Sequence, residues 1–180
     1  MLEKTKELEV VRIKMITDKK MYSEYPLTSP EAVCRFVSKE LADYDREVMC
    51  VLNCSTKGQV LNMNVVSMGT IDACLVTGRE LFKSAILANA ASVILVHNHP
   101  SGDYHPSIED KMLTAKMSAG GKLLGIDVVD HIIVAGNSGE YYSMRENGEL
   151  NELGEHFLKS GEVIAEPLIR KEQHMIHRGI

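Results

Sequence analysis

"VILVHNHPSGDYHPSIED", residues 93–110, sets an apolar run against two histidines one residue apart, then turns through prolines, a glycine, a serine and aspartates. The run 91–97 is short, β-branched and almost wholly apolar, as expected of a buried strand. Side chains alternate faces along a strand, so residues two apart point the same way. At the end of this strand His97 and His99 therefore present two imidazoles side by side, and Asn98 faces away. Ser107, after Pro106, is a natural N-cap, and "SIED" reads as a capping box with aspartate at its third position. A helix then starts beside the loop with Asp110 in its first turn. If that helix folds back over the strand end, Asp110 meets His97 and His99.

Two imidazoles and one carboxylate leave the fourth position of a zinc site open. Structural zinc sites are normally closed by four protein ligands, whereas three ligands plus water is the catalytic form. Such a site needs a proton carrier near the water, commonly a glutamate. Glu47, at the start of an apolar strand, is the candidate; a surface glutamate at a strand start is the plainer alternative. Ser107 also has a plain role as an N-cap, worth ~1 kcal/mol.

Outward from this stretch, the chain alternates strands and helices. "LEVVRIKMI" (8–16) alternates and is rich in β-branched residues, which predicts a strand. Ser29, Pro30 and Glu31 suit the N-cap and first turn of a helix over about 30–43. Residues 47–54 and 59–68 read as a hairpin closed by "STKG", and 78–90 as a helix. A third helix spans 107–125, loosened by Gly120-Gly121, followed by strands at 126–136 and 139–144 joined by "GNSG". Helices interleaved with a mixed sheet argue an α/β (α+β) sandwich with helices covering the sheet. From about residue 146 the periodicity fails, and 146–180 reads as an extension dispensable for core folding, so that a chain ending at Gly148 should still fold.

Composition narrows the function. The 180 residues suit one ordinary domain, and a hydrophobic fraction of 44% supplies a core. The net charge of -5 and the scattered Lys and Arg give no basic stripe, so nucleic-acid binding through this domain is not expected. Cys34, Cys50, Cys54 and Cys74 form no Cys-x-x-Cys pair and read as reduced thiols of a cytoplasmic protein. The charged N-terminus is no signal peptide, and no apolar stretch approaches the ~18 residues of a membrane helix. Of the other histidines, His105 reads as an exposed loop residue and His131 as a structural residue or a partner to a ligand. His156, His174 and His177 read as solvated, and residues 69–80 as a connection bordering the cleft.

Glu47, then H-x-H, seven residues, a serine, two residues and an aspartate resembles the JAMM motif of the JAB/MPN metalloprotease family. His97, His99, Ser107 and Asp110 fit its spacing. The nearest likeness is to the RadC subfamily, through "HNHPSG" at 97–102, "PS" and "D" within 106–110, "LT" at 113–114, "LLGI" at 123–126, "DHIIV" at 130–134 and "YYS" at 141–143. The resemblance covers about residues 29–145, leaving 1–28 as an N-terminal strand segment and 146–180 as a C-terminal extension. It implies a curved mixed sheet flanked by helices, the JAB/MPN (cytidine-deaminase-like) architecture. It also implies zinc on His97, His99 and Asp110, Glu47 as acid/base, and Ser107 helping to hold a developing oxyanion. Relatives of that type cleave peptide or isopeptide bonds, so the implied partner is a peptide or protein conjugate. A DNA-associated accessory protein of RadC type, with a secondary metal site, is the alternative. RadC proteins usually carry an N-terminal region of helix-hairpin-helix look, and the residues before the first predicted helix hold none.

Overall fold

In a computed structural model, which describes residues 9–41, 44–69, 76–135 and 139–150, the apolar runs become strands and the amphipathic runs become helices. In chain order these are α1 (Pro30–Leu41), β1 (Val48–Cys54), β2 (Val60–Met68), α2 (Gly78–Leu87), β3 (Ser92–Asn98), α3 (Ile108–Leu124), β4 (Asp127–Val134) and β5 (Tyr141–Ser143). The strands form one mixed sheet in the order β2-β1-β3-β4-β5. Its β1–β2, β1–β3 and β4–β5 pairs are antiparallel, whereas β3 and β4 run parallel. Parallel neighbours need a crossover, and α3 provides it. The expected α/β (α+β) class is therefore the observed one.

Alternation along the central strands builds two cores. Met49, Val51, Val93, Leu95 and Ile133 face Leu81 and Phe82 of α2 and Met117 of α3. Val48, Cys50, Leu52, Val96 and Ile132 face Val33, Val37 and Leu41 of α1. Because side chains alternate, His97 continues the row of Val93 and Leu95 toward α3, and Asn98 turns toward the α1 side. The site thus lies where β3 leaves the α3-covered face.

Four local expectations need correction. Residues 9–16 are not a strand: they carry no regular structure, and Val10, Val11, Ile13 and Ile16 lie exposed. Alternation marks a potential face, but a strand also needs a hydrogen-bonded neighbour, and among the described residues this segment has no pairing partner. The helix expected over 78–90 stops at Leu87, because Asn89 takes a positive φ of 50° and the N–H of Ala90 donates back to the Ala85 carbonyl. That left-handed turn is a common helix terminator. The expected extension also contributes to the core: Leu150 is buried among the residues facing α2 and α3, and the Glu149 carboxylate accepts from Lys111 and Tyr142. An end at Gly148 removes both contacts. Residues 151–180 and Cys74 lie outside the described residues.

Gly120 and Gly121 do not loosen α3, which runs through both and ends at a left-handed Gly125. A Cβ on Gly121 would run into the carbonyl oxygen of Ile126 and lie 3.3 Å from the Phe82 ring, whereas one on Gly120 would meet that ring at an ordinary 3.6 Å. Gly121 is therefore a close-packing glycine and Gly120 is not. Gly120→Ala should raise the unfolding free energy measured in urea by up to about 1 kcal/mol, the helix-propensity difference. Gly121→Ala should lower it by about 1–3 kcal/mol through overpacking. Equal effects from the two substitutions would show that the close approach at Gly121 relaxes freely.

Candidate metal centre

The parallel ladder runs one residue past β3, the N–H of His99 donating to the Val134 carbonyl at 3.0 Å, so His97 and His99 keep one face. Their Nε2 atoms lie 2.9 Å apart. Ser107 caps α3: its Oγ accepts from the Asp110 N–H at 3.1 Å, and its own N–H and hydroxyl donate to Asp110 Oδ2 at 2.8 and 2.6 Å. The capping box therefore aims the same carboxylate that it uses. Asp110 Oδ1 lies 3.1 Å from His97 Nε2, and Oδ2 lies 3.5 Å from His99 Nε2. The donor atoms of His97, His99 and Asp110 all fall within 4.8 Å of one another, a group able to hold a metal ion.

Local electrostatics suit this group to a cation. Burial works to raise the Asp110 pKa, but hydrogen bonds to His97 and His99 outweigh it and hold the carboxyl well below the usual range. Burial disfavours a charged His99, yet Asp110 and the Asp103 carbonyl together raise its pKa. His99 Nδ1 lies 2.6 Å from the Asp103 carbonyl oxygen. A carbonyl can only accept, so Nδ1 carries a hydrogen, and Nε2, whose own hydrogen is shared with Asp110, is the nitrogen that offers its lone pair once an ion takes that hydrogen's place. Two imidazole nitrogens and a carboxylate oxygen converging in this way fit a zinc-type donor set.

The buried residues behind His97 continue the network. His97 Nδ1 lies 2.8 Å from His131 Nε2, His131 Nδ1 lies 2.6 Å from Thr114 Oγ1, and Thr114 Oγ1 lies 2.6 Å from the Asp110 carbonyl oxygen. His131 and Thr114 are fully buried. Burial, with His97 adding repulsion, pushes the His131 pKa down to about 3 and keeps the ring neutral. The expectation that His131 is a partner of a ligand rather than a ligand matches this placement. His105 also lies where expected, exposed in the loop, with its Nδ1 2.7 Å from the Asp103 carboxylate and its ring stacked on Tyr104.

Glu47 directly precedes β1 and is half-buried. The antiparallel register pairs Met49 with His97 and, carried two residues on, sets Glu47 across from His99. Its charge contributes to the raised pKa of His99, so the carboxylate stands close to the cluster.

Sequence reasoning turned Asn98 away from the metal but assigned it no task. Its Oδ1 accepts from the Val48 N–H at 2.8 Å, and its Nδ2 donates to the Arg46 carbonyl at 3.0 Å. These two peptide groups flank Glu47, and the Glu47 carbonyl accepts from the Gly69 N–H at 2.9 Å. An asparagine between two histidines at a strand end was the available signal, because a buried amide needs partners. Thr114 was missed altogether, since nothing in a helical "LT" marks a contact with a distant strand.

Residues 27–149 match the family model for the RadC-like JAB domain, and the chain belongs to that family. Three relatives, each called a UPF0758 protein, illustrate the likeness. The one from Methanosarcina mazei is 46% identical over 122 residues, covering 68% of this chain and 52% of the relative. The one from Desulforamulus reducens is 49% identical over 119 residues, covering 66% and 52%. The one from Thermotoga maritima is 44% identical over 112 residues, covering 62% and 50%. The chain thus spans about half the length of the curated relatives it matches.

The Asn98 clamp makes a stability prediction. Asn98→Ala takes the side-chain partner from the buried Val48 N–H and from the part-buried Arg46 carbonyl, on either side of Glu47. Urea unfolding should show a loss of about 1–3 kcal/mol, the cost of an unsatisfied buried group. A loss within ~0.5 kcal/mol, typical of surface positions, would mean that the clamp bonds contribute nothing net.

Proposed function

We propose that this domain is a zinc-dependent hydrolase of peptide, isopeptide or related amide bonds. The observation that supports it most is the convergence of His97, His99 and Asp110 at one strand end, with Glu47 set across from His99. His97 Nε2, His99 Nε2 and an Asp110 carboxylate oxygen would hold the ion. Bound there, zinc would supply Lewis acidity that acidifies water and polarises a carbonyl.

The remaining chemistry belongs to the chain. The Glu47 carboxylate takes a proton from water as the water oxygen bonds to the amide carbon. It returns that proton to the amine nitrogen as the C–N bond breaks. Ser107 is exposed beside Asp110, so its hydroxyl can reach a substrate, but its one proton is directed at Asp110 Oδ2. It shares the charge of the developing oxyanion only by turning that proton from Asp110 to the carbonyl oxygen. Holding and capping Asp110 is thus its standing task, and the oxyanion contact is a second one.

The partner is accordingly a peptide or protein conjugate, and the overall charge of -5 gives nucleic acid no attractive field. A cytoplasmic setting suits the buried free thiols of Cys34, Cys50 and Cys54. No described helix is long and apolar enough to cross a membrane.

The test is a screen of the zinc-loaded protein against peptides and lysine-linked isopeptides, followed by variants on whichever bond is cut. Glu47→Gln should keep its zinc and its fold while turnover drops by about 10²–10⁴-fold. Ser107→Ala should lose less, and Asp110→Ala should lose zinc and turnover together. Near wild-type turnover by zinc-loaded Glu47→Gln would remove Glu47 from the mechanism. Absence of any amide cleavage by the zinc-loaded wild type would overturn the hydrolase reading.

A further inference from the structure

The chain from His97 to the Asp110 backbone has a direction, and that direction follows from its far end. A carbonyl oxygen only accepts, so the Thr114 hydroxyl must donate its single proton to the Asp110 carbonyl, 2.6 Å away. Toward His131 the same oxygen can then only accept, so His131 Nδ1 carries a hydrogen. In a neutral His131 the Nε2 is then bare and accepts from His97 Nδ1, 2.8 Å away. The Nδ1 of His97 is thereby kept as the N–H end, and Nε2, which faces Asp110 and His99, is the nitrogen whose lone pair serves an ion once the ion replaces its hydrogen.

We propose that Thr114 and His131 are positioning residues that lock His97 in the metal-binding tautomer, with Thr114 setting the polarity of the whole chain. His99 receives the same instruction more simply, from the Asp103 carbonyl. The His97 route also forms a ring: β3 supplies His97, β4 supplies His131, and α3 supplies Thr114, one turn beyond Asp110. Two of the three ligands are therefore tied together through hydrogen bonds as well as through any shared ion. Removing the Thr114 hydroxyl leaves His131 Nδ1–H without an acceptor in a fully buried place. His131 then relaxes by moving its proton to Nε2. That puts a donor against His97 Nδ1, and His97 must carry its own hydrogen on Nε2, where it competes with the ion.

This inference rests on the metal-site reading above and is independent of whether an amide bond is cleaved. Its test is zinc affinity of the full chain, measured by competition with a chromophoric chelator. Thr114→Val keeps the shape of the side chain and deletes the hydroxyl; it should weaken zinc binding by about 10–100-fold, the usual cost of losing a partner of a metal ligand. Thr114→Ser restores the hydroxyl and should restore wild-type affinity. His131→Gln, which can still accept with one end and donate with the other, should bind more tightly than His131→Leu.

A second measurement needs no substitution. Long-range ¹H–¹⁵N spectra of the zinc-loaded wild type should show His131 protonated on Nδ1 and bare on Nε2. A proton on His131 Nε2, or equal zinc affinity in wild type and Thr114→Val, would overturn the proposal and leave the metal site standing. Failure of the wild type to bind zinc would remove the metal site and the proposal together.

Discussion

Consecutive side chains of a strand must face opposite ways, and at the end of β3 this single constraint assigns three adjacent residues to two jobs. His97 and His99 face α3, where Asp110 waits in the first turn. Asn98, forced to the other side, holds the peptide groups on either side of Glu47. The tripeptide therefore joins the two halves of the candidate site: ligands on one face, the position of the carboxylate on the other. A one-residue slip of β3 would exchange the faces and lose both. The register is defended by Val93, Leu95 and Val96, buried between the helical layers.

Asp110 shows the same economy at the start of α3. As the third residue of the capping box it accepts from the backbone and hydroxyl of Ser107, a task any capping aspartate performs. Those bonds occupy Oδ2 and orient the group, leaving Oδ1 toward His97. The negative charge also sits at the positive end of the helix dipole, where it is stabilised without a cation. Helix initiation and ligand placement thus use one side chain. The ring through Thr114 and His131 then fastens α3 to β3 and β4 from behind.

Much of this was legible because it is local. The H-x-H spacing, the Ser107 cap, the strand and helix order and the mixed α/β class depend on residues within a few positions of one another. Glu47 required more, since it is set across from His99 only by carrying the β1–β3 register two residues past the Met49–His97 pair. Thr114 and the partnership of His131 with His97 span 17 and 34 residues, and no periodicity encodes such contacts. The segment from residue 9 to 16 failed in the opposite sense: its alternation was real, but it has no neighbouring strand among the described residues. Leu150 was missed because one buried apolar residue after a turn carries no period at all.

The central claim is that His97, His99 and Asp110 form one three-ligand metal centre with a position left for a non-protein ligand. Crystals of the zinc-loaded protein, measured on either side of the zinc absorption edge, test this most directly. One anomalous peak per chain is expected, within about 2.0–2.2 Å of His97 Nε2, His99 Nε2 and an Asp110 carboxylate oxygen, with no fourth side chain in the coordination shell. A peak held by other residues, or a fourth protein ligand closing the site, would contradict it.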